Sequence, residues 1–490
     1  MKSESFDRDP GWDARNNRIV PADRPLIAQD FGYRSTQTAG TKPGEIGGRI
    51  TRASEPAWYA DKIGVKTLDQ KLSASGTFAL TQTAGGSGIF FGFFNAAQSG
   101  ASGRPIGSLG MDMDCERGGA RLALRLITAR EKSCGTFVTP FIPGHFRPTP
   151  IRNDGTRYRW TLDYDPQANH ANGRITFTLH SDANSPDELL KRDLPQNYRQ
   201  EALSHFPHET SFVVDLPAGF KQQGTSFDHF GLMNGLKPGK SATVYFADLK
   251  YCGRAPDLSH DPHWDSLRNQ SSYRATDVSG AQNFGFSNTS HAGGRPGEIG
   301  GTFWRSGSNW GFYADKVGPL TFRDRLEAHG KVVLVAAGPD ADMCIGWFRD
   351  DGHDKAPDKA GDFIGIHVGG PTRMGHPFLP AFCAGSNAHG ILKSGPALLP
   401  GKPYEWTLLY DPNANHGDGS ISLTLGAESA TLNLKRGRKD QPNDARLDHF
   451  GMFSTGPGGQ MVKIYLDDLS YTAASNRHES RPSSGGRRAN

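Results

Sequence analysis

Apolar and polar side chains alternate along much of this chain. In Tyr158–Tyr164, Trp160, Leu162 and Tyr164 take turns with Arg159, Thr161 and Asp163, and Tyr404–Tyr410 repeats the pattern. A period of two places one face of a strand in a core and the other in water. A polar loop, Asp165–Gly173, ends on the turn dipeptide Asn172-Gly173 and leads to Ile175, Phe177 and Leu179. In the later segment Asp418-Gly419 leads to Ile421, Leu423 and Leu425. Each pair predicts an antiparallel hairpin with one wet face. Gly88–Phe94 and its counterpart Asp342–Phe348 are apolar on both faces, which predicts strands in mid-sheet, covered on both sides. Val244–Tyr251 and Ile464–Tyr471 predict the last strand of each half. No helical stripe is sustained over about 11–18 residues, and no apolar run of about 18 residues predicts membrane insertion.

The patterns recur in order. Asp9-Pro10-Gly11-Trp12-Asp13 returns as Asp261-Pro262-His263-Trp264-Asp265, and Pro43–Gly48 returns as Pro296–Gly301. Tyr59-Ala60-Asp61-Lys62 returns as Tyr313-Ala314-Asp315-Lys316. Trp160-Thr161-Leu162 returns as Trp406-Thr407-Leu408, and Asp228–Gly231 as Asp448–Gly451. The offset stays between 246 and 254 and then drops from 246 to 220, which locates an insertion of about 26 residues near 185–210 in the first copy, read as a surface excursion with a short helix. Collinear matches at this spacing imply an internal duplication of a whole domain rather than a short solenoid repeat. The expected organisation is all-β: two tandem antiparallel β-sandwich (jelly-roll) domains at 1–252 and 260–472, then a disordered basic tail at 473–490. Each Asp-Pro-x-Trp segment is expected to pack on the sandwich that follows it.

Composition adds little to this and removes several classes. The 490 residues include 61 Gly and 32 Pro, and the formal charge is +4. Ser/Gly/Arg-rich 473–490 holds Arg477, Arg481, Arg487 and Arg488 against Glu479, so the rest of the chain is near neutral. No basic face within a fold points to nucleic acid. The first residues carry no apolar secretory segment. Of the five Cys, Cys115 and Cys134 fall in the first copy, Cys344 and Cys383 in the second, and Cys252 is left over. The pairs do not occupy matching positions, so buried thiols are favoured over disulfides. Phosphate loops, nucleophile elbows, zinc-protease signatures and Cys-x-x-Cys pairs are absent.

Trp-Thr-Leu-x-Tyr-Asp-Pro, Gly-x-Ile-x-x-Thr-Leu, Asp-His-Phe-Gly and the closing aspartate-bearing strand resemble the second half of concanavalin A-like, laminin-G-like jelly rolls, in a form similar to uncharacterised bacterial secreted proteins. The resemblance implies a polysaccharide or glycan as partner and an extracellular or periplasmic setting. It leaves open whether the chain binds glycan or processes it as a glycoside hydrolase or polysaccharide lyase. A structural or adhesive module without catalytic activity is the alternative, to be told apart by whether exposed aromatics line a concave face.

Three groups of residues carry candidate chemistry. Asn169 and His170, with Asn415 and His416, stand in hairpin loops that can offer hydrogen bonds to sugar hydroxyls or form ordinary turns. Arg121 and Arg125 in the first copy, and His367, Arg373 and His376 in the second, fall on middle strands where acidic or hydroxylated sugars can be held; a solvated mixed-charge face is the alternative. Glu45, Asp248, Glu298 and Asp468 are kept in both copies, with the two aspartates sharing parity with apolar neighbours. Either Arg52 and Arg305 pair with the glutamates, or these oxygens join a structural Ca²⁺ shell. The Tyr-Ala-Asp-Lys segments are read as structural, and His229 and His449 as packed histidines bonded to a neighbour.

Overall fold

The computed structural model describes residues 1–98, 104–141, 148–182, 209–305, 310–352, 355–385, 388–434, 445–456 and 459–475. The proposed insertion, apart from Glu209 and Thr210, and the tail beyond Ser475 lie outside these residues.

Four antiparallel sheets pair into two sandwiches. In the first sandwich the larger sheet runs, in spatial order, Glu209–Asp215, Arg174–Ser181, Arg157–Asp165, Leu72–Thr83, Ser241–Tyr251, Glu45–Thr51, Leu26–Arg34 and Gln270–Arg274. The facing sheet runs Ser133–Phe137, Gly119–Ile127, Ser108–Glu116, Ser87–Phe94, Ser226–Asn234, Trp58–Thr67 and Asp265–Leu267. In the second sandwich the larger sheet runs Glu428–Asn433, Ser420–Leu425, Pro403–Asp411, Leu326–Ala337, Met461–Tyr471, Glu298–Trp304, Gln282–Ser287 and Arg18–Ile19. Its facing sheet runs Ala388–Ile391, His376–Ala384, Asp362–Gly369, Asp342–Phe348, Arg446–Ser454, Phe312–Thr321 and Asp13–Arg15. Along these paths the two orders are the same, and the second sandwich adds Lys2–Glu4 beside Met461–Tyr471 and Ala397–Leu398 beside His376–Ala384.

The expected hairpin is present as Arg157–Asp165 against Arg174–Ser181, with Trp160 opposite Leu179 and Leu162 opposite Phe177. Its inward side chains meet those of the other sheet. Phe91 stacks on Phe246 with centroids 3.8 Å apart, and its edge meets Trp160 at 5.9 Å. Ser87–Phe94 is buried at every position and lies in mid-sheet, as its two apolar faces require. Close packing of aromatic rings is what lets a chain with few aliphatic residues fill two cores.

The lead-in segments do not pack where the sequence suggests. Trp264 and Leu258 belong to the core of the first sandwich, whose last long strand they follow. Trp12 and Phe6 belong to the core of the second, at the far end of the chain. Asp265–Leu267 pairs with Trp58–Thr67 in one sheet, and Gln270–Arg274 with Leu26–Arg34 in the other, so one arm covers both edges of the first sandwich. In the second sandwich the N-terminal residues do the same: Asp13–Arg15 covers Phe312–Thr321 and Arg18–Ile19 covers Gln282–Ser287. Lys2–Glu4 also pairs with the last strand, Lys2 opposite Tyr471. The strands that complete the sandwiches lie across the expected boundaries at 252 and 260. The first sandwich is completed by residues as far as Arg274, and the second is completed by residues 2–19. An arm goes where an edge strand leaves N–H and C=O groups unpaired.

The Tyr-Ala-Asp-Lys segments are the sockets for these arms. Trp264 stacks on Tyr59 at 5.7 Å, and Tyr59 donates its hydroxyl to Asp261 at 2.5 Å. Trp12 stacks on Tyr313 at 5.7 Å, and Tyr313 donates to Asp9 at 2.8 Å. Lys62 faces Asp265 at 3.2 Å and Lys316 faces Asp13 at 3.1 Å. His229 and His449 are bonded to their neighbours, as expected: Nδ1 lies 2.7 Å from Asp228 and 2.6 Å from Asp448. Their other nitrogens reach the arms, at 3.0 Å from Asp265 and 3.3 Å from Asp13.

Two outcomes follow from the arms. Trp12→Ala should cost about 3–5 kcal/mol, the usual loss for a buried large aromatic, and should loosen the second sandwich; Trp264→Ala should loosen the first. Hydrogen exchange resolved along the chain checks this, and uniform loss of protection in both halves from either variant would contradict it. The second outcome concerns pH. Burial pulls the His449 imidazolium down, but Asp448 and Asp13 outweigh it and raise its pKa above 6.5. Burial likewise opposes ionisation of Asp13, but Lys316 and His449 hold its pKa below 3.8. The histidine contribution is therefore fully present below 6.5 and lost as pH rises through the raised value. The aspartate contribution is lost as pH falls through the lowered one. Protection of Asp13–Arg15 should fall on going from about pH 6 to pH 9, and His449→Gln should abolish that dependence.

Candidate functional site

Alternation on the middle strands of the first sandwich sends Leu109, Met111, Met113, Leu122 and Leu124 inward. It leaves Asp112, Asp114, Arg121 and Arg125 on the outer face. Register makes them neighbours: Arg121 lies directly opposite Asp114, and Arg125 is diagonal to Asp112, which faces Ala123. Arg121 forms an ion pair with Asp114, and its Nε lies 3.2 Å from Glu116. Arg125 Nε lies 3.3 Å from Asp112. Two cations come from outside these strands: Arg52 reaches Asp114 at 3.2 Å and Arg104 reaches Asp112 at 3.4 Å.

These groups line a cavity of about 320 Å³ together with Phe90, Phe137 and Lys237. The second sandwich supplies part of its wall through Pro339, Asp340 and Gln460. Arg305 holds that wall by donating Nη1 to the Asp340 carbonyl at 2.8 Å. The guanidinium carbons of Arg121 and Arg125 lie 6.0 and 5.8 Å from the Phe137 ring centroid. Phe141, 47% exposed, meets the Phe137 ring edge-on at 6.0 Å. Burial, with Arg104 beside it, lowers the pKa of Arg125; burial, with Arg52 beside it, lowers that of Lys237. Positive charge is crowded here. The Nε–H groups of Arg52, Arg121 and Arg125 are also buried without a hydrogen-bond acceptor.

The other sequence-derived candidates lie apart from this cavity. His367 occupies the place of Asp112 in the second sandwich and lies 3.5 Å from Asp342, which also faces Arg305 at 3.2 Å. His376 is fully buried and its Nε2 meets Glu131 of the first sandwich at 2.9 Å, so it serves the seam between the sandwiches rather than an open surface. Arg373 is exposed beside that seam. Asn169 and Asn415 each donate a side-chain amide to a following carbonyl, of Leu216 at 3.0 Å and Leu434 at 2.7 Å. They pin the hairpin loops, where His170 and His416 are exposed at positive φ.

The four acidic candidates do not form a cation shell. Glu45 is buried and accepts from Thr36 Oγ1 at 2.5 Å, Thr38 N at 2.9 Å and Ala39 N at 2.8 Å. Glu298 accepts from Thr289 Oγ1 at 2.5 Å, His291 N at 2.9 Å and Ala292 N at 2.7 Å. Donors fill the positions a cation would need, and each glutamate fixes a loop. Arg52 and Arg305 pair elsewhere, with Asp114 and Asp342. The parity argument for Asp248 and Asp468 fails because each sits at positive φ, 51° and 49°, on a bulge. Asp248 turns out to Thr77 at 3.2 Å, and Asp468 to Lys331 at 2.6 Å. Asp467 is the buried one, and burial lifts its carboxyl to about 6.

Strand geometry also settles the cysteines. Cys115 is opposite Ala120 and Cys134 opposite Leu126, which separates them by six positions, about 20 Å at a strand's rise. Cys344 is opposite His367, whereas Cys383 is opposite Phe363, four positions away. Neither pair can be bridged. Burial raises the Cys115 and Cys134 thiols to about 12.

Arg104, Asp112, Asp114 and Lys237 were not among the sequence candidates, and Arg52 stood there only as a partner for the glutamates. The alternating Met111-Asp112-Met113-Asp114 run, with Arg121 and Arg125 at matching parity, carried a signal for the strand residues. Arg52, Arg104 and Lys237 are brought in by tertiary structure alone.

The fold is a pair of antiparallel β-sandwiches. No family model matches the chain, and no curated protein matches it. Among solved structures, domains LG4-5 of the mouse laminin alpha1 chain are 12% identical, with a TM-score of 0.24 over 94% of this chain and 97% of that one. Arcelin-5, a lectin-like defence protein from Phaseolus vulgaris, is 12% identical, with a TM-score of 0.24 over 51% and 98%. An exolytic alginate lyase from Zobellia galactanivorans is 10% identical, with a TM-score of 0.23 over 46% and 82%. Among the described residues no helix is long and apolar enough to cross a membrane.

Glu45→Ala leaves three donors without their acceptor. At about 1–3 kcal/mol for a buried unsatisfied group, it should lower the melting temperature of the first sandwich by many degrees. Calcium and EGTA should leave the wild-type melting temperature equal; a rise with calcium would restore a cation to this site.

Proposed function

We propose that the protein binds carbohydrate at the outer face of the first sandwich, around Asp112, Asp114, Arg121, Arg125, Phe137 and Phe141. The observation that supports this most is the Phe137–Phe141 pair standing beside a sheet of alternating carboxylates and guanidiniums. Sugar rings offer an apolar C–H face and hydroxyls that both donate and accept. An aromatic platform receives the first, and a mixed Asp/Arg array receives the second. An extracellular or periplasmic setting fits this reading, as does an origin of the two sandwiches in duplication of one ancestral domain. In this reading the first sandwich keeps the polar face, while the second has His367 and Ala381 where the first has Asp112 and Arg125.

One observation favours a structural or adhesive module instead. Among the described residues, Phe141 is the single aromatic in the set of exposed large hydrophobic side chains, so no broad aromatic surface supports the carbohydrate reading. A glycan array probed with the full chain separates the two. Carbohydrate binding predicts retained polysaccharides and an affinity about 5–10-fold weaker for Phe141→Ala, the loss expected from one stacking contact of about 1 kcal/mol. Failure to retain any polysaccharide would leave the adhesive reading. A reducing-end assay on retained polymers then tells binding from cleavage.

A further inference from the structure

We infer that the cavity at the seam takes an acidic group of a glycan, a carboxylate or sulfate, rather than neutral hydroxyls alone. This rests on the carbohydrate reading above and narrows it to a substrate class. Five cations line the cavity, Arg52, Arg104, Arg121, Arg125 and Lys237, against the three carboxylates Asp112, Asp114 and Asp340. Glu116 adds a fourth carboxylate near the rim, through Arg121, and an excess of positive charge remains.

Ion pairing does not exhaust these donors. Arg52, Arg121 and Arg125 are held in place by Asp114 and Asp112. Their buried Nε–H groups still have no hydrogen-bond acceptor, although Arg125 Nε is 3.3 Å from Asp112 and Arg121 Nε is 3.2 Å from Glu116. Those nitrogens are closed off even from water, so an oxygen entering the cavity meets the remaining edges of the arginines and Lys237 rather than Nε. The acidic residues thus orient the arginines, and the incoming anion meets their surplus positive charge. Lys237, whose charge is disfavoured by burial and by Arg52, gains a counter-ion in the same event. Guanidinium groups fixed in a plane suit the two or three oxygens of a carboxylate or sulfate better than single hydroxyls. The Phe137–Phe141 edge beside the cavity offers the rest of the sugar an apolar surface.

The test measures binding of the full chain to heparin, polygalacturonate and dextran at two salt concentrations, with sodium sulfate as a competitor. Two variants are compared: Arg125→Gln on the strand and Arg104→Ala in the loop, the latter leaving the sheet untouched should the former unfold. The expected result is binding to a sulfated or uronate polymer but not to dextran, weakened about 10–100-fold by either variant and by added salt. Binding of sulfate alone, with no polymer retained, would overturn the inference in favour of a free anion. Equal binding of acidic and neutral polymers, unchanged by both variants, would overturn it while leaving carbohydrate binding intact. If no polysaccharide binds, the carbohydrate reading fails and this inference fails with it.

Discussion

An open sandwich must find partners for the edges of its two sheets, and in this protein that need organises the chain. Each sandwich leaves two neighbouring edges, one per sheet, and one extended arm covers both. The arm enters with an Asp-Pro-x-Trp segment, inserts its indole against a tyrosine of the edge strand, and then pairs first with one sheet and next with the other. For the first sandwich the arm is the chain immediately downstream. For the second it is the N-terminal segment, so Lys2–Glu4 lies against the strand that ends at Tyr471. The chain closes on itself, and the stability of its last sandwich depends on its first residues.

The two sandwiches also meet along a seam of their own. Glu131 of the first buries its carboxylate against His376 of the second at 2.9 Å, and Ser133 N donates to the Thr372 carbonyl at 3.1 Å. Nearby, Asp340 and Gln460 wall one side of the charged cavity. A sheet face that would otherwise be open to water becomes a partly enclosed space with crowded guanidinium groups. The same strand order in the second sandwich carries His367, Gly369 and Ala381 at the corresponding places, and Phe363 stands where the first has Ser108, packing into an apolar cluster with Phe348 and Phe453. One scaffold thus presents two unlike faces, and the difference lies in a handful of strand positions.

Much of the fold was legible because alternation is a local signal. The hairpin at Arg157–Ser181 and the doubly buried strand at Ser87–Phe94 follow from side-chain parity alone. The arm was misassigned because Asp-Pro-x-Trp records only that a tryptophan is to be buried, not which sandwich buries it. Parity failed at Asp248 and Asp468 because a bulge shifts the side chain by one face, and nothing in Ala-Asp-Leu or Asp-Asp-Leu marks the bulge. Glu45 and Glu298 stood out by their recurrence, but their partners are backbone amides and one threonine hydroxyl each, which the recurrence does not reveal. For the cavity, Arg121 and Arg125 were visible on their strand. Arg104 stands in the loop just before Ser108–Glu116 and Lys237 in a loop distant in sequence, and neither could be placed before the sheets were assembled.

Deleting residues 1–19 and adding them back as a synthetic peptide tests the closure most directly. With the arm removed, the second sandwich should unfold at a lower temperature than the first, giving two transitions, and the peptide should restore the second in a concentration-dependent way. Unfolding unchanged by the deletion, or a loss confined to the first sandwich, would contradict the account.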